Sequence, residues 1–302
     1  MAKIQMSSRA MADSTGSEQD TVTKRRAVRE LIAFFALTFA ITFGLGAAVI
    51  FFRPQFEAVF GPLGPLLISW PYYVAVCAPT ISAVLLSALF WGLEGVRNLF
   101  RGLIRPFQLR WLFVALLTFP TGLLLSGLAE RVILGNGVSH AINIHAILIS
   151  APLTLFTTAN IFIDPGPWGE ETGWRGFALP RLLTRFSPLT AAIILGVIWG
   201  VWHTPAFLAS GLTQSKYNFG WFLIGATGIS IVMAWIYVNA NHNFLVAGFI
   251  PHAVNNLMGF SNAFTDTKTQ SFVLIAIVAL IIFVSGPGLK GLRFARPQPA
   301  EA

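Results

Sequence analysis

The stretch that decides the fold runs from Lys24 to Phe52. It reads KRRAVRE over 24–30, then LIAFFALTFAITFGLGAAVIFF over Leu31–Phe52. The apolar part is 22 residues long and carries no charge. As a helix it spans about 33 Å, enough to cross the hydrocarbon core of a bilayer. A cleaved signal would have a shorter apolar region nearer the N-terminus. The run therefore reads as a first membrane-spanning helix with a basic flank.

Further apolar stretches follow near 67–92, 111–129, 146–163, 188–209, 219–239, 244–260 and 270–287. Together they predict an all-α polytopic bundle of eight spans with both termini in the cytoplasm. Residues 1–28 read as a disordered cytoplasmic tail, 29–289 as the membrane domain and 290–302 as a second tail. No internal repeat is visible. Composition agrees: the 302 residues are 55% hydrophobic and only 11% charged, with mean hydropathy +0.70. Soluble domains carry about 25% charged residues, so a soluble enzyme is excluded, and so is a disordered chain.

The net charge of +8 invites a nucleic-acid reading, but that needs cations clustered on one soluble face. Here they flank the spans. Lys3, Arg9, Lys24, Arg25, Arg26 and Arg29 precede the first. Arg97, Arg101, Arg105 and Arg110 lie in 93–110, Arg175, Arg181 and Arg185 in 164–188, and Lys290, Arg293 and Arg296 at the C-terminus. Only Arg53, Arg131, Lys216 and Lys268 fall on the other side. Sixteen cations against four fit the positive-inside rule and need no nucleic acid, only a lipid bilayer. The lone cysteine, Cys77, forms no disulfide or Cys-based zinc site and reads as a small core residue.

Polar groups at membrane depth are costly and tend to mark a site. Three clusters qualify. In Gly-Glu170-Glu171-Thr-Gly-Trp-Arg175, Glu171 and Arg175 are i and i+4 and so form a pair. Pro165 and Pro167 break the preceding helix, and Pro167 suits the first position of a new one. Glu170 points about 100° away from Glu171, with no local cation. A buried carboxylate of that kind suits a general base. The bland alternative is a solvated loop with a surface salt bridge. In Trp199-Gly-Val-Trp-His203, the histidine sits inside the fifth span, where packing is the usual role. His252 and Asn256 share one helix face, and Pro251 kinks the chain before them. That pair suits donation to one oxygen, or hydrogen bonding between helices. Counting back from Arg181 at the interface, Glu170 lies about 16 Å deeper, with His203 and His252 about 22 and 12 Å into their spans. Hydropathy alone would leave Glu170 at the inner edge; a helix re-entering after Pro165–Pro167 would bury it.

In this order, the three clusters resemble the CPBP family of CAAX prenyl-protease and bacteriocin-processing membrane proteins, also called Abi. Its pattern is Glu-Glu-x-x-x-Arg, Phe-x-x-x-His, then His-x-x-x-Asn. Here these are Glu170, Glu171 and Arg175, then Trp199 and His203 with Trp for Phe, then His252 and Asn256. The resemblance covers roughly 145–262. It implies an intramembrane endopeptidase with a cytoplasm-facing cavity and a membrane-associated or lipidated protein or peptide as substrate. Glu170 and His203 would activate water, His252 and Asn256 would hold the oxyanion, and Glu171, Arg175 and Trp199 would support them. A metalloprotease view of the family would make Glu170, His203 and His252 zinc ligands, so zinc or no metal both stay open. In a bacterium the location would be the cytoplasmic membrane. A non-catalytic partner and a transporter remain as alternatives. A serine protease is disfavoured because Gly-x-Ser-x-Gly is absent. His140 and His145 fall away from the site, and His242 reads as an interfacial hydrogen-bonding residue.

Overall fold

The computed structural model describes residues 2–60, 70–133, 165–260 and 267–290, and every regular element among them is helical. α1 covers Ala2–Phe51, α2 Arg53–Phe60, α3 Trp70–Val76, α4 Ala78–Arg101 and α5 Leu109–Ile133. α6 starts over Pro165–Glu171, widens to a π-helix over Thr172–Ala178 and closes over Leu179–Leu182. α7 covers Pro188–Trp202, α8 Thr204–Leu208 and α9 Phe219–Asn239. α10 opens as a π-helix over Leu245–Phe249 and continues over Ile250–Phe260, and α11 covers Thr267–Ser285.

Among the described residues, six helical stretches are long and apolar enough to cross a membrane: Lys24–Phe51, Ala78–Arg101, Leu109–Glu130, Pro188–Leu208, Phe219–Asn239 and Lys268–Ser285. The chain is an all-α integral membrane protein. Of the eight spans expected, 146–163 lies outside the described residues, as do His140 and His145. The 244–260 stretch is helical but is not among the six, because its helical parts, Leu245–Phe249 and Ile250–Phe260, are together too short to cross a bilayer. At the N-terminus α1 continues back through the polar residues expected as a tail. Residues 2–23 hold no proline and one glycine, so nothing there stops a helix.

Glycines let the helices meet. A Cβ on Gly196 of α7 would come within 2.6 Å of the Thr227 Cα of α9, and one on Gly200 within 2.5 Å of Leu223. On α6, a Cβ at Gly173 would meet Pro79 at 2.5 Å and one at Gly169 the Cys77 Cα at 2.9 Å. In a bilayer, where water does not drive helices together, such close backbone approach is a main source of packing energy. The core includes Phe34, Trp174, Phe177, Leu195, Val232 and Phe244. Phe34 stacks on Phe177 at 5.1 Å and meets Trp174 edge-on at 5.5 Å.

One end of the bundle is stitched by polar contacts. The Glu30 carboxylate of α1 is 4% exposed. It accepts from Arg26 Nε at 3.1 Å, Trp91 Nε1 at 3.1 Å and Arg181 Nε at 2.6 Å. Burial pulls the Arg181 guanidinium below the usual arginine range, and Glu30 opposes that shift. Asn243 Nδ2 donates to the carbonyls of Leu103 and Arg105. Asn239 Nδ2 donates to the Leu289 carbonyl at 2.6 Å, and Asn241 Nδ2 to that of Pro106 at 3.1 Å. Residues 24–30, 90–106, 181, 239–244 and 289 therefore share one end. The turn between α9 and α10 places Asn241 (φ 52°) and His242 (φ 58°) in the left-handed region. The His242 ring stacks on Tyr237 at 5.0 Å.

Replacing Gly196 with alanine is expected to destabilise the protein by about 1–3 kcal/mol, since the new methyl meets backbone and not a movable side chain. Gly44→Ala is the control, because a methyl added there would meet nothing within 4 Å. Thermal unfolding in detergent should show a lowered midpoint for the first variant and little change for the second.

Candidate active site

The site is built where α6, α7 and α10 cross. Pro165 and Pro167 both lie in the described part of α6, ahead of the two glutamates. Burial of Glu170 at 5% and Glu171 at 1% excludes the solvated-loop reading. The π-helical turn that follows starts directly after Glu171 and contains Arg175. Such wide turns tend to occur at functional sites.

Glu171 Oε1 is the shared oxygen of the site. It accepts from Arg175 Nη1 at 2.8 Å, the expected i, i+4 pair, and lies 2.7 Å from His252 Nδ1. A carboxylate oxygen only accepts, so Nδ1 of His252 carries the proton. Oε2 of Glu171 is packed where a Cβ on Gly248 would stand 2.5 Å away, so a side chain at 248 would collide with the carboxylate. Arg175 is fully buried, and its Nε and Nη2 have no hydrogen-bond partner among the described residues. The Arg175 Cζ lies 4.7 Å from the Trp199 ring centroid, so the indole face offers the cation an attractive surface.

Trp199 touches every cluster. Its Nε1 donates to Glu170 Oε2 at 2.6 Å, which supplies the carboxylate with a partner from another helix. Its ring meets those of His203 and His252 edge-on, at centroid distances of 5.7 and 5.5 Å. Trp in place of Phe, read from sequence as a conservative change, thus adds a hydrogen-bond donor to the site.

Within the Pro188–Leu208 stretch, His203 sits at a hinge, the one residue between two helical segments. α7 ends at Trp202 and α8 begins at Thr204, with Pro205 in its first turn. The Nδ1 of His203 lies 2.9 Å from the Trp199 carbonyl oxygen. A carbonyl only accepts, so Nδ1–H is donated and Nε2 carries the lone pair. Trp202 and Phe222 hold the ring edge-on at 4.8 and 5.0 Å. On α10, a π-helical turn over Leu245–Phe249 stands just before Pro251, and the helix continues over Ile250–Phe260. Asn256 lies one turn after His252, half-buried. Trp168 and Phe249 pack at 4.2 Å beside the Glu171–His252 contact.

The zinc reading needs Glu170, His203 and His252 to converge. Among the described residues no group of three or more His, Cys, Asp or Glu side chains is placed to hold a metal ion. Glu and His suit zinc as donors, but the described side chains are not grouped around one point.

Fold and site together define a class: a helical membrane protein with a buried carboxylate–histidine centre assembled from three helices. A family model described as type II CAAX prenyl endopeptidase, Rce1-like, matches residues 150–258. A CAAX prenyl protease 2 from Methanococcus maripaludis is 31% identical over 122 residues, covering 37% of this chain and 44% of the relative. The chain thus spans less than half the length of the curated relative it matches. The matched segment holds all the site residues named above and is similar to the Rce1-like CAAX prenyl endopeptidases.

Glu171→Gln is expected to destabilise strongly, by about 3–5 kcal/mol, because it leaves the buried Arg175 charge uncompensated. Glu170→Gln keeps an acceptor for Trp199 and should cost far less. Comparing unfolding midpoints of the two variants in one detergent checks the difference.

Proposed function

We propose that the protein is an intramembrane endopeptidase that hydrolyses a peptide bond of a membrane-associated or lipidated protein. The observation that carries the reading is the junction of Glu170, His203 and His252 around Trp199 inside a segment matched to CAAX prenyl endopeptidases.

In this reading Glu170 takes one proton of a water, and the Nε2 lone pair of His203 accepts a hydrogen bond from its other O–H, as the oxygen attacks the scissile carbonyl. The carbonyl oxygen becomes an oxyanion held by His252 Nε2–H and the Asn256 amide. Because Glu171 holds His252 at Nδ1, donation from Nε2 requires the doubly protonated ring. The Glu171 carboxylate stabilises that imidazolium. The proton taken from water then passes to the leaving amine, and the C–N bond breaks. No step of this reading runs through a metal.

We place the cavity mouth on the cytoplasmic side, in the cytoplasmic membrane if the source is a bacterium. The sixteen-to-four split of cations supports this. So does the meeting of the basic flanks of α1, α4, α6 and α11 at one end of the bundle. Two further spans, at 146–163 and 244–260, would complete a bundle of eight with both termini on that side.

The test is cleavage of a panel of prenylated CAAX-type and unlipidated membrane-linked peptides by purified protein in nanodiscs, followed by mass spectrometry. Glu170→Ala and His203→Ala are each expected to lower kcat/KM by at least about 10²–10³-fold, with folding preserved. Chelators should leave the rate unchanged. Unaltered cleavage in both variants, or loss on chelation with recovery on adding zinc, would overturn the mechanism.

A further inference from the structure

We infer that the indole N–H of Trp199 is a positioning group that orients the Glu170 carboxylate through Oε2. This rests on the reading of Glu170 as the base. The 2.6 Å contact joins a donor on α7 to a carboxylate on α6, both about 5% exposed. Indole is only a donor, so the contact exists as a hydrogen bond whether Glu170 is charged or neutral. It is much stronger to the carboxylate. The bond engages Oε2 and directs the carboxyl plane, which leaves Oε1 to other partners. The same ring also faces Arg175 and both histidines, so one side chain fixes the base relative to the proposed oxyanion donor.

Other charged or titratable groups surround Glu170. From its own helix these are Glu171 and Arg175, from the α3–α4 junction Cys77, from the α7–α8 hinge His203 and from α10 His252. Arg175 is already claimed by Glu171 through a direct bond, whereas the Trp199 indole bonds to Glu170 itself. Removing the indole N–H while keeping an aromatic ring therefore isolates its contribution to Glu170.

Trp199→Phe does this. The ring contacts with Arg175, His203 and His252 survive, and the donor is lost. The acidic limb of the kcat/KM–pH profile is expected to move upward by about one pH unit, roughly a tenfold loss of rate on that limb. The position of the limb, not the height of the plateau, is the readout. A merely structural role would lower activity evenly across pH.

A second readout does not depend on peptidase activity. With indole-¹⁵N tryptophan in the full chain, the resonance absent from Trp199→Phe is that of Trp199. It should titrate with pH and lose that titration in Glu170→Gln. A resonance that ignores both pH and Glu170→Gln overturns the inference. So does a Trp199→Phe enzyme that cleaves with an unshifted profile. Should no peptide be cleaved while the resonance titrates through Glu170, the pairing is upheld and the peptidase reading fails.

Discussion

A single buried carboxylate oxygen, Glu171 Oε1, sets the arrangement around it. It accepts from Arg175 on its own helix and holds His252 from α10, with all three groups nearly or fully withdrawn from solvent. An isolated buried charge would cost several kcal/mol. The arginine answers the carboxylate, and the carboxylate in turn fixes the histidine tautomer. Gly248 admits the carboxylate because any larger residue would collide with it. The indole face of Trp199 lies against the guanidinium on the other side. The neighbouring Glu170 meets the Trp199 indole N–H instead.

The site therefore separates two adjacent carboxylates by environment. Glu171 is neutralised by Arg175 and bound to His252. Glu170 is turned by the helix towards α7, where it meets an indole donor. Neighbouring carboxyl groups in different surroundings take different tasks, which is a recurrent arrangement in acid–base catalysis. The π-helical turns in α6 and α10 lie beside this pair, as does the hinge at His203. Each departs from regular helix within about a turn of a proposed site residue. Regular helices alone would keep their side chains on the rotations their spacing dictates.

Support for this centre comes from a second buried acid that the sequence reading did not single out. Glu30 joins Arg26, Trp91 and Arg181 near the far end of α6. It ties α1 and α4 to the helix carrying both site carboxylates. A glutamate after four nearby cations looks like part of a solvated flank; its role depends on a partner 151 residues away.

Apolar runs and the positions of Lys and Arg sufficed to predict an all-helical membrane protein, and the three polar clusters singled out seven candidate site residues. These are local signals: hydrophobic length decides whether a helix can span, and a charge at membrane depth stands out against its neighbours. The Glu171–Arg175 pair was equally legible, because i, i+4 spacing places both on one face. Tertiary structure alone decided that His252 binds Glu171 and that Trp199 binds Glu170. It also decided that Pro251 follows a π-turn and that His203 stands at a hinge. Those features depend on how closely separate helices approach and how each is rotated. Glycines such as Gly173, Gly196 and Gly248 permit that approach, but their spacing in the chain does not name the surface each will meet.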